Sequence, residues 1–225
     1  MKHYRAIALT CLAAFCLLPA TLASADKPEE DAPPAAEVEG TMLLEDFNDL
    51  EKAAERWRTV NDNVMGGRSK GGPSFADGLL TFQGATNTNG GGFSSLRTKP
   101  DPIDLSETTG LLLRVKGDGR TYKAALRTDA SIRRSRIPFR ADFPTVKDEW
   151  TTVFVPFKNM TPSFRGFPLK NPPALELDKV EAMGLMIYDK KDGPFKLQVD
   201  WIKAVPEAPE GAVIAGEPKD REEPI

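Results

Sequence analysis

The chain has 225 residues, and its 30 basic and 33 acidic side chains leave a formal charge of −3. That acidic balance argues against a nucleic-acid binder, because affinity for polyanions comes largely from Lys and Arg neutralising phosphates. The one histidine, His3, and both cysteines, Cys11 and Cys16, fall at the extreme N-terminus. The remainder therefore lacks a Ser-His-Asp triad, a Cys-His pair, a zinc site of the usual His/Cys kind and a His-ligated haem.

Residues 1–25 read as a secretory signal peptide. Lys2 and Arg5 start a basic stretch, an apolar run follows to about Ala20, and Ala23-Ser24-Ala25 offers small residues for cleavage before Asp26. The run is too short to span about 30 Å of hydrocarbon, and no later apolar run suggests a membrane span. The expected location is periplasmic or extracellular. Cleavage would remove His3, Cys11 and Cys16, leaving 28 basic residues against 33 acidic and no disulfide to staple the fold. An exported domain of this kind must rely on its hydrophobic core. Residues 26–40, rich in Pro, Ala and Glu, read as a disordered linker, and residues 206–225 as a disordered acidic tail. One domain is expected between them, over residues 41–205.

Within that domain the periodicity is that of strands. Candidates are Met42 to Phe47, Arg56 to Val60, Leu79 to Gly84 and Gly92 to Thr98. Only Leu50 to Arg56 looks helical. Leu111, Leu113 and Val115 alternate on one face, Gly117-Asp118-Gly119 supplies a turn, and Tyr122, Ala124 and Leu126 continue at period two; together they predict a hairpin. Trp150 to Phe157 is β-branched and aromatic, with Pro156 expected to end it or to sit on an edge. Val180 to Tyr188 and Phe195 to Ile202 follow, joined through the turn cluster Asp189 to Pro194. Many short strands between turn residues indicate an all-β protein, an antiparallel sandwich or barrel.

Elimination leaves carboxylate chemistry or an oxygen-ligated cation. Asp46, Asp62, Asp118 and Asp200 could serve a glycosidase only if two of them converged on one bond, and acids at this composition are ordinary surface residues. Asp46 and Asp200 are the weak candidates for a structural Ca²⁺, and no cofactor or metal is expected. The segment Asn61-Asp62-Asn63-Val64-Met65-Gly66-Gly67-Arg68-Ser69 is the most distinctive. Asn and Asp side chains can satisfy nearby backbone groups, and the glycines permit positive φ and close approach. It reads either as a self-bonded loop closing one end of the sandwich or as a recognition surface with Arg68 as its reader. Gly90-Gly91-Gly92 lacks the context of a phosphate loop and marks a bulge or close packing against another backbone. Arg127, Arg133, Arg134, Arg136 and Arg140 could form an anion patch, but a solvated face is the expectation in an acidic domain. Trp57, Trp150 and Trp201 could be sugar platforms; at strand positions they read more readily as core.

Five collinear segments carry a resemblance: Trp57 to Ser69, Gly91 to Thr98, Leu111 to Tyr122, Trp150 to Phe157 and Gly184 to Ile202. Together they resemble the complex I intermediate-associated protein 30 (CIA30) family. The resemblance covers roughly Met42 to Ala204 and implies a galactose-binding-domain-like jelly-roll β-sandwich. It also implies a non-catalytic assembly factor that binds intermediates of the respiratory NADH dehydrogenase. An export signal in place of a mitochondrial presequence is a departure from that pattern, so the client does not transfer with the fold.

The combined expectation is an exported, non-enzymatic binding module that engages a protein partner as chaperone or assembly factor, with a membrane-associated complex among the candidate partners. A carbohydrate-binding module acting on envelope or environmental polysaccharide is the alternative. The expected binding surface joins Asn61, Asp62, Asn63, Met65, Gly66, Gly67, Arg68 and Ser69 with Arg97, Asp118 and Arg120. Asn and Asp would orient the loop, Arg68 and Arg97 would contact the partner, and Met65 would give an adaptable apolar contact.

Overall fold

The computed structural model describes residues 38–132, 135–164 and 167–216. The expected signal peptide and most of the linker lie outside the described residues. The strands run in chain order β1 (Met42–Glu45), β2 (Trp57–Asn61), β3 (Lys70–Ala76), β4 (Leu79–Thr86), β5 (Ser94–Thr98), β6 (Gly110–Lys116) and β7 (Thr121–Ile132). They continue with β8 (Ser135–Pro144), β9 (Trp150–Pro156), β10 (Thr161–Phe164), β11 (Phe167–Pro168), β12 (Ala182–Ile187), β13 (Gly193–Val205) and β14 (Val213–Ile214). Among the described residues the single α-helix, α1, spans Leu50–Arg56. Asp49 caps it by accepting from the Lys52 amide at 3.0 Å, and Ala53 is its buried residue.

Two sheets face each other. The first has the order β14-β9-β6-β13-β4-β3, with β1 also paired to β13; the second has the order β11-β10-β8-β7-β12-β5-β2. Pairing is antiparallel except between β14 and β9. Alternation supplies the core: Leu111, Leu113 and Val115 from β6 meet Tyr122, Ala124 and Leu126 from β7, all at most 2 % exposed. β13 is central to the first sheet. A bulge between Val199 and Trp201 lets it pair with β4 over its first half and with β1 over its second.

Three expectations are corrected. β6 and β7 are not a hairpin: β6 pairs with β9 and β13, β7 with β8 and β12, and residues 117–120 cross between sheets. Their apolar faces look at each other across the core, which period two alone cannot distinguish from neighbours in one sheet. The acidic tail does not begin at residue 206. The apolar Val213–Ile214 pairs with the edge strand β9, and Ala215 is fully buried, its carbonyl accepting from Asn159 Nδ2 at 3.1 Å. This segment lies by Leu112, Phe154 and Val205, apolar residues on the outer face of the first sheet, where Ala212 and Trp201 pack. Finally, β8 occupies a stretch read as an arginine-rich face; Ile137, Phe139, Ala141 and Phe143 alternate into the core between its arginines.

Candidate functional site

One end of the sandwich gathers the end of β2, the starts of β3 and β5, the end of β4 and the start of β7. There the chain leaves β2 in a 3₁₀ turn, Asp62–Met65, closed by Gly66 at φ 87°. Asp62 points inward and is fully buried. Its carboxylate accepts from the Ser69 amide (2.9 Å), Ser69 Oγ (2.5 Å), the Gly92 amide (2.6 Å) and the Phe93 amide (3.3 Å). Burial alone would raise its pKa. The hydrogen bonds from Ser69, Gly92 and Phe93 outweigh that and hold it below the usual carboxylate range.

The glycines follow from this contact. A Cβ at Gly67 or Gly91 would collide with the Asp62 carboxylate, so only glycine lets both backbones close on it. Asn61 ties the neighbouring strands, donating to the Gly71 carbonyl (3.1 Å) and accepting from Ser94 Oγ (2.6 Å). The outcome is a fixed base under an exposed tip. Val64 and Met65 are 69 % and 62 % exposed, flanked by exposed Asn63 and Arg68.

Asp118 and Arg120 lie at the same end, half-buried, with their polar groups turned to internal partners. Asp118 accepts from the Tyr122 hydroxyl (3.0 Å), the Lys196 amide (2.8 Å) and the Arg120 amide (3.0 Å). The Arg120 guanidinium makes a two-pronged pair with Asp189, at 2.9 and 2.6 Å. It also donates to Thr86 Oγ1 and to the Gly193, Pro194 and Lys191 carbonyls. The hydrogen bonds that Arg120 donates to Asp189 raise the pKa of Arg120, and that pairing, against the cost of burial, lowers the pKa of Asp189. Arg120 is a rivet between sheets, since Asp189 and Gly193 bracket the crossing from β12 to β13 and Thr86 ends β4. The two corners connect through residues 86–88, where the Asn87 amide donates to Ser69 Oγ (2.9 Å) and the Thr88 amide to Asp192 (2.6 Å).

The expected surface is therefore redistributed. Asp62 and Ser69 are its buried support, and Arg120 with Asp118 is a second internal brace. Asn63, Met65, Gly66 and Arg68 are the parts that meet solvent. Arg97 is elsewhere, on the outer face of the second sheet, where its lateral neighbours are Arg58 and Gly184. Sequence reasoning passed over Ser94, Asn87 and Asp189, which had no signal beyond turn or strand composition. It also discounted Arg127 and Arg140, which the structure places on the same face as Arg97. Among the described residues no three His, Cys, Asp or Glu side chains gather to hold a metal.

Two packed sheets place the chain in the β-sandwich class seen in carbohydrate-binding modules. The family 11 module of a Clostridium thermocellum cellulase superposes with a TM-score of 0.56, at 15 % identity, over 75 % of this chain and 95 % of that one. A family 11 module from Clostridium thermocellum in complex with a β-1,3-1,4-mixed-linked tetrasaccharide gives 0.53 at 16 % identity, over 77 % of this chain and 97 % of that one. At such identity the likeness is one of fold alone. The chain belongs to the complex I intermediate-associated protein 30 (CIA30) family, whose profile matches residues 45–199. An uncharacterized Schizosaccharomyces pombe protein is 28 % identical over 67 % of this chain and 78 % of its own length. The mouse mitochondrial complex I intermediate-associated protein 30 is 34 % identical over 44 % of this chain. The chain spans 31 % of the mouse protein and 42 % of its Drosophila melanogaster counterpart.

Proposed function

We propose that this protein is a non-catalytic binding module that grips a protein partner through the 63–68 tip. The observation that carries the reading is the contrast within one loop: a fully buried, four-fold bonded Asp62 directly beneath Val64 and Met65, two of the most exposed apolar side chains described. A fixed support lowers the ordering cost of binding, and an aliphatic pair beside a cation suits a protein surface. Asp62 and Asp118 have their oxygens engaged by internal donors, which favours support over acid–base chemistry. The mouse and fly relatives are named for association with complex I intermediates. By analogy the partner here is a component of a membrane-associated assembly, met on the outer side of a membrane if residues 1–25 direct export.

The test is co-purification from a membrane fraction with V64D/M65D, using Val146→Asp, another exposed apolar position, as control. Both variants should fold normally, since exposed substitutions usually stay within about 0.5 kcal/mol. The reading predicts a discrete partner retained by the wild type and the control and lost with V64D/M65D. An unchanged partner profile would refute it.

Glycan binding has one observation in its favour: Trp150 and Trp201 are half-exposed on the outer face of the first sheet, near Arg114 and Lys116. Against it, Lys203 Nζ already sits 4.5 Å from the centre of the Trp201 ring, and Trp57 is buried. Retardation in polysaccharide-loaded gels, abolished by W150A, would favour this second reading.

A further inference from the structure

The outer face of the second sheet carries positive charge that no carboxylate among the described residues pairs. Residues 97, 184, 125 and 140 lie side by side on β5, β12, β7 and β8, and Arg127 stands two residues along β7 from Ala125. Arg97 and Arg140 are thus about 14 Å apart at the backbone, three strand spacings. Between them the floor is small: Ser95, Ala125, Ala182 and Gly184 are all buried although they face away from the core. A side chain at 184 would press on the Leu96 carbonyl. The three arginines are half-buried over this floor.

Their surroundings differ from those of Arg56, Arg120 and Arg136. Arg56, Arg120 and Arg136 each have a carboxylate partner, whereas among the described residues none of the ion pairs involves Arg97, Arg127 or Arg140. Among the described residues Arg97 Nε and Arg127 Nη1, like Arg56 Nε, are buried donors with no acceptor. Arg140 Nη1 donates to Ser163 Oγ at 2.8 Å. On either side along the same face, acid and base are matched: Lys123 with Asp142, and Arg136 with Glu181. Burial, and after it the charges of Arg97 and Arg140, push Arg127 down to about 9; burial and Arg97 push Arg140 down to about 10. The guanidinia are therefore close enough to repel one another, yet remain charged at neutral pH. Buried cations and unpaired donors cost stability unless an anion completes them.

We propose that Arg97, Arg127 and Arg140 form a binding site for a tetrahedral oxyanion, a phosphate or sulfate group, on the outer face of the second sheet. A carboxylate offers two oxygens and fits one guanidinium fork. A tetrahedral dianion offers oxygens in several directions and can meet three forks at once. The site is separate from the 63–68 tip, so either assignment can fail without the other.

The experiment is a titration of the full chain with inorganic phosphate, sulfate and acetate at matched ionic strength. It is read by melting temperature and by the arginine Nε–H signals in NMR. Phosphate and sulfate should raise the melting temperature and shift the Nε signals of Arg97 and Arg127 saturably, while acetate should do neither. Arg127→Gln should weaken phosphate binding at least about tenfold, the loss of a charge-assisted contact. It should also raise the melting temperature in oxyanion-free buffer by relieving repulsion. Glycerol phosphate and a sulfated oligosaccharide, competed against inorganic phosphate, then distinguish the source of the group. Equal responses to all three salts, or unshifted Arg Nε signals in the wild type, would overturn the site. That last readout needs no variant to fold.

Discussion

Asp62 shows how a recognition loop can be built from its underside. Asn61-Asp62-Asn63 was legible in sequence as a turn, and the two glycine runs as places of close approach. What could not be read was that Gly67 and Gly91, 24 residues apart, close on one carboxylate. The Asx–glycine pattern is local, whereas this contact is tertiary. Asp62→Asn keeps the shape but turns an NH₂ toward backbone and hydroxyl donors, and should cost about 3 kcal/mol. Urea unfolding would show this as a lower midpoint at unchanged slope. The sign of the pH effect follows from the lowered pKa values of Asp62 and Asp189. Both folded values lie below the unfolded 3.8, so their stabilisation is complete well above that pH and is lost as pH falls through the folded values. The acid limb of the stability curve should therefore be shallower in Asp62→Asn than in the wild type.

At the scale of elements, the crossings between sheets matter more than the strands. Strand existence was largely visible: α1 spans Leu50–Arg56 as its sequence suggests, and β9 ends at Pro156. The partners were not visible, because β6 and β7 present identical alternation whether paired or opposed. β3 and β8 were obscured by glycine, proline and arginine within otherwise alternating runs. Arg120 and Asp189, which lock the crossings at residues 117–120 and 189–193, are 11 % and 6 % exposed at their side chains. Arg120→Met would leave Asp189 charged and enclosed and remove one donor from each of three carbonyls, of which Lys191 and Gly193 would keep Thr86 Oγ1. The expected loss is about 3–5 kcal/mol, measured by chemical denaturation. If the variant matched the wild type within about 0.5 kcal/mol, the brace would be ornamental.

For the whole molecule, the sandwich separates its tasks by location. Among the described residues, which include no cysteine, the core between the sheets supplies the stability, one end carries the braced tip, and the outer face of the second sheet holds arginines without a carboxylate partner. Fold and family were within reach of the sequence, because alternation and five collinear motifs are properties of the chain itself. Arg97, Arg127 and Arg140 were not recognisable as a group, since β5, β7 and β8 become neighbours of β12 or of one another only after folding. The claim that the tip at 63–68 is the partner-binding surface can be tested in cells with a photo-crosslinking residue placed at position 64, and separately at 146. The account predicts a discrete adduct with one protein from position 64 and none from position 146. No adduct at 64, or the same pattern from both positions, would contradict it.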